Sequence, residues 1–151
     1  MTPEQRLADM GITLPGTPEP VANYVPFKIA GDLIFVSGQV PREEGGLTAT
    51  GLVGGDVSPE DACRAARVCA INILAAVKAA AGDLSRVEAV RLEGFVASAE
   101  GFTGQPAVLN GASDFLIEIL GEAGRHTRFA VGVAELPRGA AVEIGAVFRL
   151  L

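Results

Sequence analysis

The sequence predicts an α+β domain in which two helices pack on one face of a mixed or antiparallel sheet. Apolar and small residues alternate with period two at 25–40, 87–97 and 128–149, as strands with one buried face require. Two other segments, at 58–81 and 105–122, repeat apolar residues with helical spacing. The predicted order is ββ(β)αβαββ, and 151 residues suffice for one domain with a substantial core.

The first two strands are predicted to form a hairpin. Residues 25–30 and 33–40 alternate on either side of Gly31-Asp32, a dipeptide typical of tight turns. A loop rich in Gly and Glu follows at 41–46, and the segment at 47–53 has only weak pairing potential.

The helix boundaries are marked by capping residues. Ser58 is a typical N-cap with Pro59 at the first helical position, and Gly82 is a typical stop after Ala81. The predicted buried stripe of this helix is Ala66, Cys69, Ile73, Val77 and Ala80. The predicted buried side of the second helix is Val108, Leu109, Ala112, Phe115, Leu116, Ile119 and Leu120.

The N-terminal segment predicts a short amphipathic helix and then a tether. Thr2 and Gln5 have capping-box spacing, and Gly11 is a stop signal before a Pro/Gly-rich stretch. We therefore divide the chain into a helix and tether at 1–20 and a single domain at 21–151. The first residues lack the basic-then-apolar order of a signal peptide, and no apolar run approaches ~20 residues. A cytoplasmic protein with no membrane partner is expected.

Charge and cysteine content exclude several classes of function. The net charge is −6 with no run of Lys or Arg, which disfavours a nucleic-acid partner. Cys63 and Cys69 lie six residues apart in one predicted helix and point to different faces, so they predict free thiols. With a single histidine, no metal site is expected.

The last quarter of the chain suggests a ligand site. Residues 128–149 read as two strands around a Pro-Arg-Gly turn. The bulky face of the first strand, expected under the helices, is Phe129, Val131 and Val133. The opposite face is Arg128, Ala130, Gly132 and Ala134. Small residues beneath a guanidinium leave an open floor, and its donors match two carboxylate oxygens. The alternative is a surface arginine at a strand start.

This predicted hairpin leaves one sheet face without cover. That face is expected to carry Ala130, Gly132, Ala134, Gly145 and Val147. It is too apolar to stay in water, so self-association is expected, with sites between subunits. In the hairpin register Ala134 opposes Glu143, which puts Arg128 about 20 Å from Glu143. The two residues then meet only across a subunit boundary, unless Glu143 is merely an edge carboxylate or an intersubunit ion pair.

Four other positions are weaker candidates. Ser37-Gly38 allows close backbone approach and offers a hydroxyl, or is simply a strand-end turn. Tyr24 defaults to a core or staple role, and Asn110 either caps a backbone group or reaches the site. His126 shares a strand face with Arg128, although a lone histidine is more often a satisfied polar residue than a catalyst.

These residues together resemble the RidA (YjgF/YER057c/UK114) family of enamine/imine deaminases. Tyr24, Gly31 and Ser37-Gly38-Gln39 are similar to the family pattern "YxxxxxxGxxxxxSGQ". Residues 128–145 are similar to the closing pattern "RSxVxVxxLPxxxxVEIE", and Asn110 falls where the family has an Asn. The resemblance covers about residues 21–151, whereas the N-terminal segment and the longer loop at 41–56 indicate a longer variant branch.

The resemblance implies a chorismate-mutase-like homotrimer with sites between subunits. It implies that Arg128 holds a substrate carboxylate and that Glu143 positions or activates water. Tyr24, Ser37-Gly38, Asn110 and Ala130 are implied to line the pocket, although the family often has Cys in place of Ala130. Family members hydrolyse 2-aminoacrylate-type imines to 2-keto acids and ammonia without a cofactor. The alternative function is a trimer that binds a small carboxylate metabolite without turnover.

Overall fold

The sheet and helices follow the predicted order, and the computed structural model describes residues 1–16 and 23–151. The strands are β1 (Phe27–Ala30), β2 (Leu33–Gln39), β3 (Arg42–Glu43), β4 (Gly46–Leu47), β5 (Val87–Ala97), β6 (Thr127–Val133) and β7 (Val142–Leu150). The helices are α1 (Pro3–Asp9), α2 (Pro59–Ala81) and α3 (Gln105–Leu120). The predicted α+β fold is confirmed. The tether predicted to reach residue 20 lies partly outside the described residues.

The main sheet has five strands in the order β1-β2-β7-β5-β6. Neighbouring strands are antiparallel except β5 and β6, which are parallel. The two long helices, α2 and α3, pack on one face of this sheet. They approach each other closely at Gly111, where a Cβ would lie 2.0 Å from the Cys63 carbonyl oxygen. The predicted buried stripes are confirmed except at Ala80, which is only partly buried, and both cysteines are free.

The predicted hairpin between the last two strands is wrong. Strands β6 and β7 lie on opposite sides of β5, so Ala134 does not oppose Glu143; Phe95 does. Helix α3 returns the chain to the same end of the sheet, as a crossover connection to a parallel strand must. The segment with the Pro-Arg-Gly sequence then crosses the end of β5. Hydrogen bonds from Gly51 N to Gly139 O (2.9 Å) and from Ala141 N to Ala49 O (3.1 Å) hold it there.

The predicted faces of β6 are also reversed. Arg128 pairs with the buried Leu92 and Ala130 with Gly94, which places both on the face that the helices cover. The physical reason is the close approach of α3. A Cβ at Gly94 would lie 2.5 Å from the Leu109 side chain, so α3 lies close to the sheet where Gly94 pairs with Ala130.

An uncovered apolar face exists, as predicted, but different residues build it. The larger apolar side chains on this open face include Leu33, Phe35, Phe95, Phe129, Val131 and Val147. Phe35 is 45% exposed and Val131 41% exposed, and the rings of Phe95 and Phe129 meet edge to face at 5.6 Å. Of the residues expected here, Gly145 and Val147 are present, Ala130 and Gly132 lie on the helix-covered face, and Ala134 lies beyond the end of β6.

The N-terminal helix α1 packs against the helical layer. Its capping box is formed as predicted by Thr2 and Gln5. Glu4 accepts from Lys78 Nζ (2.7 Å) and from the Leu84 backbone N–H (2.8 Å). In the part of the chain that the structure describes, no helix has both the length and the apolar character to cross a membrane.

Candidate functional site

Arg128 is anchored beneath the N-terminal half of α3. Its Nη1 donates to Ser113 Oγ at 3.0 Å, and its Nη2 donates to the Pro106 carbonyl at 3.1 Å. A guanidinium has five N–H donors, so these two contacts leave three for a ligand. Because β6 is the outer strand of the sheet, the anchored guanidinium lies beside an edge that no strand within residues 1–16 and 23–151 covers.

The neighbours of Arg128 are partly those predicted. Asn110 is exposed and lies on the same stripe of α3 as Pro106 and Ser113, at helical spacings of four and three residues. Ala130 follows Arg128 on the same face of β6 and packs against the core. These residues form one wall, which we call the arginine wall: Arg128, Pro106, Asn110, Ser113 and Ala130.

Ser113 was missed by the sequence reasoning. It is only 8% exposed, and its hydroxyl links Arg128 to His126, whose Nε2 lies 2.9 Å from Oγ. The available signal was a lone hydroxyl within the apolar side of α3. Its partner depended on the register between β5 and β6, which period-two alternation does not fix.

Glu143 lies in a second cluster, on the open face of the sheet. A Cβ at Gly38 would come within 2.9 Å of Glu143 Oε1, so the carboxylate lies directly over Gly38. The β2–β7 register shifts between Val36, which pairs with Ala146, and Gln39, which pairs with Ile144. Ser37-Gly38 therefore lies in an irregular stretch opposite Gly145, two residues along β7 from Glu143. Burial raises the pKa of Glu143 above its usual range, a direction that suits proton transfer near neutral pH.

The segment before β1 is attached to this second cluster. Ser37 Oγ donates to the Val25 carbonyl at 2.7 Å, and Ser37 N–H donates to the Pro26 carbonyl at 2.9 Å. These bonds hold the two residues that follow Tyr24 against Ser37, and Tyr24 itself is 54% exposed rather than part of the core. We call this second cluster the glutamate wall: Glu143, Gly38, Ser37 and Tyr24.

The two walls do not meet within one chain. Arg128 is on the helix-covered face, opposite Leu92, and Glu143 is on the open face, opposite Phe95. Two strand spacings and three residues of offset separate their Cα atoms by about 14 Å. That Arg128 and Glu143 meet only across a subunit boundary therefore stays a prediction. Within one chain they are closer than the predicted hairpin implied, but they lie on opposite faces of the sheet. Among the described residues, no cluster of His, Cys, Asp and Glu could hold a metal ion.

The fold and the arginine wall define a class of small α+β proteins with an anchored arginine at one edge of the sheet. Residues 4–144 match the family described as "YjgF/chorismate_mutase-like, putative endoribonuclease". The chain belongs to this family, which confirms the resemblance stated from the sequence.

Three similar proteins extend this result. Protein TCP17 of Trypanosoma cruzi is 44% identical over 95% of this chain and 91% of its own length. The structure of Atu1372 from Agrobacterium tumefaciens, of unknown function, has a TM-score of 0.92 at 52% identity, over 99% of this chain and 92% of its own. A Shewanella oneidensis structure that carries the same endoribonuclease name has a TM-score of 0.95 at 36% identity and covers both chains completely. The N-terminal segment is therefore shared with these relatives, which supports a longer branch.

Proposed function

We propose that the chain is a cofactor-free enamine/imine deaminase that acts on small 2-imino acids of the 2-aminoacrylate type. The observation that carries the proposal is the anchored Arg128, with three donors left at an uncovered strand edge. A planar guanidinium matches the two oxygens of a carboxylate. Every 2-imino acid carries such a carboxylate next to its reacting carbon.

The reaction needs little more than orientation and one proton carrier. Water adds to the electrophilic imine carbon and gives a carbinolamine. Loss of ammonia then forms the carbonyl of the 2-keto acid. Glu143, whose pKa burial raises, takes a proton from water as the C–O bond forms and gives it to the imine nitrogen as the C=N double bond opens. It then carries the hydroxyl proton of the carbinolamine to the same nitrogen as the C–N bond breaks, so that ammonia leaves and the carbonyl forms. Fixing the carboxylate also holds the imine carbon in place for attack.

The proposed site lies between subunits of a homotrimer. The arginine wall is at the β6 edge, whereas Ser37 and Tyr24 lie at the β1–β2 side of the sheet, about 14 Å away across three strand spacings. A second copy that brings its glutamate wall to the β6 edge completes the site. Burial of the open apolar face would stabilise that assembly.

The test is release of keto acid and ammonia in a coupled assay. A pyridoxal-phosphate dehydratase acting on serine or threonine generates the imine, and the wild type is compared with Arg128→Ala. We expect the wild type to accelerate hydrolysis and the variant to lose at least about 100-fold, because a charged bidentate partner is removed. Equal acceleration by both proteins contradicts the proposal.

A second candidate is a trimer that binds a small carboxylate without turnover. The observation in its favour is that Arg128 is fully positioned by its own chain, whereas Glu143 is remote within that chain. This alternative expects thermal stabilisation by a 2-keto acid, about 2–3 kcal/mol at 100 times the dissociation constant, without hydrolysis. The endoribonuclease in the family description is disfavoured by the net charge of −6, since RNA binding needs a basic surface.

A further inference from the structure

The hydrogen bonds beyond Arg128 form a chain with one direction. A guanidinium only donates, so Ser113 Oγ accepts from it and keeps its own proton for His126 Nε2, 2.9 Å away. On the other side of the ring, Nδ1 lies 2.6 Å from the Gly124 carbonyl, which only accepts. A neutral imidazole with its proton on Nδ1 satisfies every contact. The chain therefore runs from Arg128 through Ser113 and His126 to Gly124.

The far end of this chain is fixed by packing. Gly124 is buried, and a Cβ there would lie 2.4 Å from the Leu116 carbonyl oxygen. Only a glycine at this position therefore allows the backbone to pack so closely against α3. The carbonyl that ends the chain cannot shift without moving the helix, so the imidazole ring is held in one orientation.

We infer that Ser113 and His126 are positioning residues that set the plane of the Arg128 guanidinium for its carboxylate ligand. The inference rests on the proposed role of Arg128. An arginine side chain has many rotamers, and ordering it costs conformational entropy. The buried hydroxyl and the Pro106 carbonyl fix both terminal nitrogens before the ligand arrives. Hydrogen bonds aligned in one direction also polarise one another, which strengthens the anchor.

The serine is tested by a pair of substitutions in the coupled assay. Ser113→Ala frees Nη1, and we expect KM to rise about tenfold with kcat changed less than twofold, because carboxylate binding rather than proton transfer is weakened. Ser113→Thr keeps the hydroxyl and is expected to keep KM within about threefold of wild type. Similar KM values for the wild type and Ser113→Ala would overturn the inference. Circular dichroism and mass in solution control for folding.

The histidine is tested by two amides that each keep one of its contacts. His126→Gln keeps an acceptor near the Nε2 position, and we expect a KM close to that of the wild type. His126→Asn keeps a donor near the Nδ1 position but loses the acceptor for Ser113, and we expect KM to rise about fivefold. The reverse order would show that the ring serves packing alone and would overturn the inference.

A spectroscopic test is available because His126 is the only histidine in the chain. In uniformly ¹⁵N-labelled protein at alkaline pH, its ring nitrogens need no assignment by mutation. We expect a protonated Nδ1 and an unprotonated Nε2 in the wild type, and a shift of Nε2 in Ser113→Ala. An imidazole protonated on Nε2, or a spectrum unchanged by Ser113→Ala, would overturn the inference.

Direct titration with pyruvate separates this inference from the proposed function. Binding by the wild type that is lost in Arg128→Ala and weakened about tenfold in Ser113→Ala supports both. Binding lost in Arg128→Ala but unchanged in Ser113→Ala overturns the inference and leaves the function standing. Binding that is absent in the wild type, or independent of Arg128, overturns the function and the inference that rests on it.

Discussion

At the scale of single residues, the site depends on how each charged group is held. Two N–H donors of Arg128 are hydrogen-bonded to Ser113 and Pro106, and these bonds fix the orientation of the remaining donors of the guanidinium. Glu143 instead lies over Gly38 on the open face, where burial raises its pKa. Neither the hydrogen bonds of Arg128 nor the burial of Glu143 could be predicted from the sequence, because both depend on the order of the strands in the sheet.

The first prediction concerns the shape of the cation. Arg128→Lys keeps the charge but replaces a planar fork with a point charge on a flexible stem. We expect kcat/KM in the coupled assay to fall at least about tenfold, since a bidentate contact to the carboxylate is lost. Activity equal to that of the wild type would mean that charge alone binds the substrate.

The second prediction concerns Glu143 and pH. A carboxyl whose pKa is raised in the folded state binds its proton more tightly there than in the unfolded chain. Its contribution to stability therefore falls as pH rises from about 4.5, the ordinary pKa of a glutamate, through the raised pKa of the folded state. We expect Glu143→Gln to have a higher Tm than wild type at neutral pH and the gain to disappear in acid.

The opposite sign is expected at Asp83, which serves as the control. Hydrogen bonds from Ser85 lower the pKa of Asp83, so its contribution is present above the unfolded pKa and is lost as pH falls. Asp83→Asn should then lower Tm at neutral pH. A pH-independent Tm difference in Glu143→Gln would contradict the assignment of a raised pKa.

At the scale of elements, the helices were predictable and the strand pairing was not. Ser58 caps α2 through the Asp61 N–H as its position predicted, because capping depends on residues close in sequence. Strands β6 and β7, by contrast, looked like a hairpin but each pairs with β5. A turn sequence between two strands does not show whether a third strand, here β5, lies between them in the sheet.

The small residues of β6 were misread for the same reason. Ala130 and Gly132 looked like the floor of an open site, yet both lie on the helix-covered face, where Ala130 packs against the core. Phe129 and Val131 looked like core and instead lie on the open face. In a chain that assembles with copies of itself, bulky apolar residues need not point toward its own helices.

The third prediction concerns the contact between α2 and α3. Gly111→Ala puts a Cβ about 2.0 Å from the Cys63 carbonyl oxygen, which is backbone and cannot rotate away. We expect the free energy of unfolding to fall by more than about 2 kcal/mol in urea titrations. Gly45→Ala, where a Cβ meets nothing within 4 Å, is the matched control and should change stability by less than about 0.5 kcal/mol. Equal effects would mean that the helices are not this close.

At the scale of the whole molecule, the open face and the separated walls point to the same assembly. The face carries three phenylalanines, Phe35, Phe95 and Phe129, without cover from any described residue of the chain. The arginine wall and the glutamate wall lie on different sides of the sheet. The sequence predicted both features in outline, although through the wrong hairpin.

The fourth prediction tests the open face. Val131→Glu places a charge among the apolar side chains, and we expect the mass in solution to fall from three chains of 15.5 kDa to one. Leu151→Glu also replaces an exposed apolar residue but at the chain end, and it should leave the mass unchanged. A wild type that is already monomeric would contradict the proposed assembly.

The most direct test of the central claim is subunit complementation. Arg128→Ala and Glu143→Ala chains are expected to be inactive alone in the coupled assay. In a mixed trimer, a site that takes Arg128 from one chain and Glu143 from its neighbour is intact at one of the three boundaries, so co-refolded protein should recover up to about a third of wild-type activity. A mixture that assembles but stays as inactive as its parents would contradict a deaminase site shared between subunits.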